Sequence, residues 1–271
     1  MKEKSASYWF NKRPTRLRLE TEIDLPLTYK FDRFLERGVI ISHPNRFIMM
    51  VKKEGATIVC HCPSTGKIGS VVFDGVPCLL SSSSSVKRKT THTVEAISIN
   101  GAKSWIGINQ NAVNRYIEHF FRIGALSGIV PNGHVILREQ KIGDSKLDFR
   151  IENTYVEVKT PLQFLALSES DQPSGMKCVN SVERFVRHVA ELAQRCRKNE
   201  NALMLVCFIY DAPIFTPPAR TEQNKIIGDA VRQSLNVGVK IWQANMSIDL
   251  GGVKLLKYFD ITDHLKSTTI A

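Results

Sequence analysis

The sequence predicts a mixed α+β protein in two parts, a small β-barrel followed by an α/β domain with a central sheet. Three observations carry this reading. Between Gly38 and Ser81, short β-rich runs follow one another closely and are separated by turn residues. Near residues 100–108 the text changes from strand to amphipathic helix. From there on strands alternate with helices, the pattern of an α/β layer structure. A chain of 271 residues is long enough to bury two cores of ordinary size.

Residues 1–36 read as a basic N-terminal extension. They carry Lys2, Lys4, Lys12, Arg13, Arg16 and Arg18, with Tyr8, Trp9 and Phe10 among them. Cations interleaved with aromatics suit phosphates and stacked bases, and they suit a frayed terminus equally well. No site is assigned there.

Residues 37–103 form the first domain. Gly38–Pro44, Arg46–Lys53, Ala56–Cys62, Ile68–Phe73 and Val76–Ser81 read as strands, with turns at Glu54-Gly55, Pro63 to Gly66 and Asp74-Gly75. Thr93–Ile99 adds a further strand, which gives a small barrel or sandwich. The serine run Ser81–Ser85 leads into Lys87, Arg88 and Lys89, a cationic loop able to follow a phosphate backbone.

Residues 104–271 form the second domain. Val113, Tyr116, Ile117, Phe120 and Phe121 recur at the i, i+3, i+4, i+7 spacing of a helix over Asn111–Ile123, which Gly124 stops. Strands follow at His134–Glu139, Lys146–Glu152 and Tyr155–Thr160. A polar loop spans about residues 168–175, then a helix runs over Ser181–Lys198. The near-continuous apolar run Ala202–Tyr210 predicts a buried central strand. A helix at Gln223–Leu235 and strands at Val239–Ile248 and Val253–Phe259 complete the chain.

Composition narrows the function. Lys and Arg number 37 against 26 acids, a formal charge of +11, which favours polyanionic partners, with nucleic acid first among them. The same excess also serves solubility, so its clustering has to decide. No run approaches the roughly 20 apolar residues that span a bilayer, and a membrane role is not supported. Six cysteines with no apolar signal segment point to the reducing cytoplasm and no disulfides. Cys60-His61-Cys62 lacks the second pair that a zinc site needs and reads as strand.

The sharpest local pattern runs from Lys146 to Lys159 and alternates almost without error. If Asn153-Thr154 form the turn, Asp148 faces Lys159 and Arg150 faces Glu157, with Leu147, Phe149, Ile151, Val156 and Val158 on the other face. Cross-strand neighbours about 5 Å apart would gather two carboxylates and a Lys. Asp148 and Glu157 can hold a hard cation such as Mg2+, or Mn2+, while Lys159 steadies attacking water or developing charge. Any half-exposed hairpin laced with ion pairs alternates in the same way.

The spacing D-x8-E-V-K resembles the core of the PD-(D/E)xK nucleases, and the wider text resembles the sugar fermentation stimulation protein A family. Arg46-Phe47 matches part of its K-R-F-L segment, and His61-Cys62-Pro63-Ser64-Thr65-Gly66 resembles H-C-P-N-T-G. Lys87-Arg88-Lys89 with His92, Thr93 and Glu95 resembles K-R-K...H-T-x-E, and Asn114-Arg115 its helical N-R pair. Ser145 to Phe149 resembles S-R-I-D-F, and Tyr155 to Lys159 resembles Y-I-E-V-K. Glu183-Arg184, His188 and Glu191-Leu192 fit E-R...H-L-x-E-L, and Pro218-Ala219-Arg220 fits S-P-A-R. The resemblance implies an OB-fold barrel, a nuclease-like domain with a mixed central sheet, DNA binding and regulation of sugar metabolism. The sequence departs from the family in four places. Pro173-Ser174-Gly175-Met176 replaces F-P-D-A, Asp144 replaces an Arg, the family's helix Glu falls at His119 beside Glu118, and the N-terminal extension has no counterpart.

Two functions are therefore expected of the sequence. In one, the chain is a Mg2+-dependent DNA nuclease acting through Asp148, Glu157 and Lys159. In the other, it is a non-catalytic DNA-binding regulator on an inactive nuclease scaffold. In either case Lys87, Arg88, Lys89, Lys146, Arg184 and His188 are the residues expected to meet DNA, duplex or single-stranded.

Overall fold

The computed structural model describes residues 27–64, 68, 71–83, 88–131, 135–143, 145–162, 179–216 and 222–268. The basic stretch 1–26, Lys87, Asp144 and the segments 163–178 and 217–221 lie outside the described residues. The first strand, β1 (Thr28–Lys30), belongs to the second domain and is taken up with it.

Five strands close the barrel: β2 (Glu36–Asn45), β3 (Ile48–Lys53), β4 (Ala56–His61), β5 (Pro77–Ser82) and β6 (His92–Ile97). β4–β3–β2–β5–β6 pair antiparallel in that order, and a parallel contact of Cys60 and His61 with His92 and Thr93 joins the ends. This closed OB-like barrel removes the exposed edges that an open sheet would present. Its interior holds Ile40, Met49, Val51, Cys60, Cys78, Leu80, Val94 and Ile97. Burial drives the thiols up, Cys60 to about 11 and Cys78 to about 12, so both are inert packing residues.

One expected strand does not form at its described residues. Ile68 and the described residues Val71–Phe73 lie in no strand, because turns close from Ile68 O to Val71 N and from Phe73 O to Val76 N. Val72 is left 80% exposed. A further strand, β7 (Ile106–Gly107), pairs with β6 and carries the barrel sheet past residue 103.

The second domain is one mixed sheet of seven strands in the order β1-β13-β12-β11-β10-β9-β8. These are β8 (Ile136–Ile142), β9 (Ser145–Ile151), β10 (Thr154–Lys159), β11 (Asn201–Phe208), β12 (Lys240–Ile248) and β13 (Gly252–Asp260) with β1. β10, β11 and β12 run parallel; the outer pairs are antiparallel. The central strand β11 is buried from Ala202 onward, as its continuous apolar text requires. Among the described residues four helices cover the sheet: α1 (Val113–Arg122), α2 (Val179–Arg197), α3 (Glu222–Asn236) and α4 (Thr262–Thr268). Phe120, Tyr116 and Ile117 of α1 seal one face with Phe149, Val156 and Leu205. Val189 and Leu192 of α2 and Leu235 of α3 seal the other with Leu147, Met204 and Ile241.

α1 ends as its sequence predicts. Gly124 takes φ +74°, Gly124 N–H donates to Phe121 O and Ala125 N–H to Phe120 O, so the last carbonyls are satisfied. The described end of the expected extension, residues 27–36, belongs to the fold, since Thr28–Lys30 pairs with Gly252–Lys254 and Leu35 enters the α1 core. Three residues are too short for alternation to show, and their partners lie more than 200 positions away.

The two domains share a joint. Leu162, just beyond β10, packs inside the barrel core, and Tyr210 touches both that core and the α2 side of the sheet. Gly107 N–H donates to Ile209 O at 2.9 Å. A Cβ on Gly107 would collide with the Ile209 side chain, Cβ included, where no flexible tip can move aside. Gly107→Ala is therefore expected to destabilise the protein by about 2 kcal/mol, the usual cost of overpacking a filled core. Urea unfolding checks this, and an unchanged midpoint would show slack in the joint.

Candidate active site

The hairpin of β9 and β10 carries the site, with one change of register. Ile151 pairs with Thr154 and Phe149 with Val156, so the turn is Glu152-Asn153, and Glu152 takes φ +49°. The β-branched Thr154, expected in the turn, is buried in the strand instead. Moving the turn by one residue keeps every face but slides the partners, so continued register puts Asp148 across from Glu157 and not from Lys159.

The alternation also breaks at Asp148. Phe149, Ile151, Val156 and Val158 pack on the α1 side, whereas Leu147 packs on the α2 side with Tyr155. Opposite Asp148 on β8 stands Glu139 with φ +53°, a conformation that costs a non-glycine residue about 1 kcal/mol. The ladder between β9 and β10 stops at Phe149 and Val156. Beyond it, Val158 N–H donates to Asp148 Oδ2 at 2.8 Å, so a side-chain carboxylate takes the place of a strand carbonyl. Asn114 of α1 donates from Nδ2 to Asp148 Oδ1 at 2.7 Å.

Glu157 lies on the α2 side, only 2% exposed. Lys159 Nζ donates to its Oε1 at 2.6 Å, and His188 Nδ1 of α2 donates to the same oxygen. A carboxylate can only accept, which fixes the Nδ1–H tautomer. Glu157 Oε2 is buried and has no hydrogen-bond partner among the described residues. Lys159 is a quarter exposed and lies 5.8 Å from the centre of the Phe185 ring on α2.

The two acids are pushed apart. Burial and the nearby charge of Glu157 raise Asp148 above its ordinary value, against the hydrogen bonds from Val158 and Asn114 and the charge of Lys159. Burial also raises Glu157, but the His188 hydrogen bond and the Lys159 charge outweigh it and hold the carboxyl below its ordinary range. Glu157 is thus the charged member and Asp148 the one that protonates first.

The other expected residues are dispersed. His188, expected at a phosphate, is turned inward onto Glu157 and is 4% exposed, so it supports the acid and does not reach outward. Arg184, one turn earlier on α2, is exposed. Lys146 is exposed but tied to Glu139 at 2.9 Å. Arg88 and Lys89 are exposed on the barrel, with Arg88 Nη2 donating to Thr93 Oγ1 at 3.3 Å. Glu118 is bound by Arg122 and Arg138. Sequence reasoning placed no role on Asn114, although its N-R pair with Arg115 marked the position.

The chain matches known proteins along most of its length. The model of the SfsA N-terminal OB domain covers residues 41–108, and that of the sugar fermentation stimulation protein RE domain covers 109–252. A sugar fermentation stimulation protein homolog from Alcanivorax borkumensis is 28% identical over 229 residues, covering 80% of this chain and 94% of its own length. A homolog from Synechococcus sp. is 29% identical over 242 residues, covering 86% and 95%. The solved structure of Pyrococcus furiosus SfsA in complex with Ca2+ superimposes with a TM-score of 0.65 at 17% identity, covering 87% of this chain and 98% of that one.

The opposed shifts fix a pH signature. Glu157, depressed in the fold, contributes stability that is present above the ordinary carboxylate range and lost as pH falls through its lowered value. Asp148, raised in the fold, contributes stability that is present at acid pH and lost as pH rises through its raised value. Carboxyl carbon NMR of the metal-free protein should find Asp148 titrating above ordinary aspartate and Glu157 below ordinary glutamate; the reverse order would refute this electrostatic picture. His188→Ala should cost about 3 kcal/mol in urea unfolding at neutral pH, because it strips a donor from a buried charge.

Proposed function

Because the chain belongs to the sugar fermentation stimulation protein family, we propose that it binds DNA and hydrolyses its phosphodiester bonds at Asp148, Glu157 and Lys159 with Mg2+ or Mn2+. The observation that carries the reading is the buried, ionised Glu157, with one oxygen held by Lys159 and His188 and the other without a hydrogen-bond partner among the described residues. A native fold seldom leaves a buried carboxylate oxygen unsatisfied unless something else binds it.

The residues fit a hard divalent cation. Mg2+ is usually held by one or two carboxylates, with water and substrate phosphate oxygens completing its shell, and Asp148 and Glu157 would supply that pair. Among the described residues no group of three or more His, Cys, Asp or Glu gathers to hold a metal. The Pyrococcus furiosus relative was solved with Ca2+, another cation that takes oxygen ligands. A bound ion would supply charge to polarise the phosphate and to make water a stronger acid.

The remaining work falls to the chain's own side chains. His188 and Lys159 keep Glu157 ionised, and the Lys159 ammonium stands ready to offset charge developing on a phosphate or an attacking hydroxide. Arg88, Lys89, Lys146 and Arg184, with Lys87 next to Arg88 in sequence, would hold the phosphate backbone by charge and select no base.

A second reading, a DNA-binding regulator of sugar metabolism that does not cleave, is favoured by Asp148. Both of its oxygens already accept protein donors, and its carboxyl is shifted toward the neutral form, a poor cation ligand. The two readings separate on cleavage. With Mg2+ or Mn2+ and labelled DNA, the wild type should cut, and Asp148→Asn, Glu157→Gln and Lys159→Ala should each lose at least 100-fold of that rate, about 2.7 kcal/mol in the barrier. No cutting by the wild type leaves the regulator. In both readings DNA affinity should fall steeply between about 50 and 200 mM salt. Flat binding isotherms across that range would remove the electrostatic mechanism.

A further inference from the structure

The segment between the barrel and α1 reads Asn109-Gln110-Asn111-Ala112-Val113-Asn114, and each of its four amide side chains bonds a different element. Asn109 Nδ2 donates to the buried Glu95 Oε2 of β6 at 2.7 Å. Gln110 Nε2 donates to the carbonyl of Thr160, the residue after Lys159. Asn111 Nδ2 donates to the carbonyl of Pro63, just past β4. Asn114 Nδ2 reaches Asp148 Oδ1. Residues 110–112 form a short 3-10 turn that runs directly into α1, so the four amides ride on one stiff piece of backbone.

We infer that Asn114 is a positioning residue for Asp148, setting the carboxylate's orientation toward a divalent cation from a strut anchored in the barrel. This rests on the metal reading under "Proposed function". The geometry argues for orientation and not only for packing. Asp148 stands where the β9–β10 ladder has stopped, so ordinary strand pairing no longer fixes its direction. Two donors replace that constraint, the Val158 N–H on one oxygen and Asn114 on the other. Together they hold the carboxylate plane in place, and a carboxylate oxygen that accepts one hydrogen bond keeps a second lone pair. Val158 N–H belongs to the backbone of the same hairpin; Asn114 is the donor that comes from outside it. Groups that hold a metal's carboxylate ligands typically govern 10- to 100-fold of the affinity.

The experiment measures Mn2+ binding by calorimetry on the full chain, for the wild type, Asn114→Leu and Asn114→Gln. Leu keeps the volume without a donor, and Gln restores an amide. Thermal melts in chelator and the metal-free Val158 amide resonance accompany each titration. Positioning predicts that Asn114→Leu binds Mn2+ at least 10-fold more weakly, that Asn114→Gln regains part of the loss, and that the Val158 amide shifts in Asn114→Leu before any metal is added. If Asn114→Leu binds Mn2+ within twofold of the wild type, or if its loss only follows a fallen melting temperature with no recovery in Asn114→Gln, the inference is overturned and the metal reading stands. If the wild type binds no Mn2+ at millimolar concentration, the metal reading falls and the inference with it.

Discussion

The placement of one charge governs the architecture around the site. Glu157 sits mid-strand in a sheet covered on both faces, where an unpaired carboxylate would cost several kcal/mol. The fold can keep that charge only by bringing hydrogen-bond donors to it. Lys159 comes two residues along the same strand, and His188 comes from α2, which must therefore pack with that turn against β10. The orientation of α2 thus depends on chemistry at Glu157 as much as on Val189 and Leu192 in the core beneath it. The other Glu157 oxygen, Oε2, is nonetheless buried without a hydrogen-bond partner among the described residues. That imbalance marks a site that gives up stability for something other than folding.

The sequence made most of the architecture legible, because the architecture is written in local periodicity. The face of α1, its Gly124 stop, the buried run of β11 and the polar alternation of β9 and β10 are short-range patterns, and each appears within a residue or two of its expected place. What failed was not local. β1 is three residues long and acquires its strand from Gly252–Lys254 at the far end of the chain. Ile68–Phe73 has strand-like composition, but Ile68 is buried while Val72 points out, and turns interrupt it.

At the site itself, the residue types could be read and the geometry could not. Glu152-Asn153-Thr154 permits two turns, and only the burial of Thr154 against β11 decides between them. The left-handed Glu139 opposite Asp148, and the switch of Leu147 to the other core, follow from an interrupted ladder that no two-residue period encodes. His188 was misplaced for a related reason. Its spacing from Arg184 suggests a common helix face, but Arg184 is exposed and His188 buried, and the difference is made by Glu157 on another strand. Alternation assigns faces; it takes a partner from elsewhere in the chain to assign a role.

The barrel's part in the site follows from the same non-local contacts. Leu162 leaves the end of β10 and enters the barrel core, so the strand that carries Glu157 and Lys159 is anchored at its exit by the other domain. Gln110 fastens Thr160 at that exit, Asn109 and Asn111 fasten the linking segment to the barrel, and Gly107 meets Ile209 with no space between. A hinge between the domains would have to break these contacts together. Barrel and sheet therefore move as one unit around Asp148 and Glu157, and a polyanion held by Arg88 and Lys89 on the barrel would be in a fixed frame relative to the carboxylates. Weak electrostatic contacts gain value from such a frame, because they need only align the chain along its backbone while the rigid joint supplies the register.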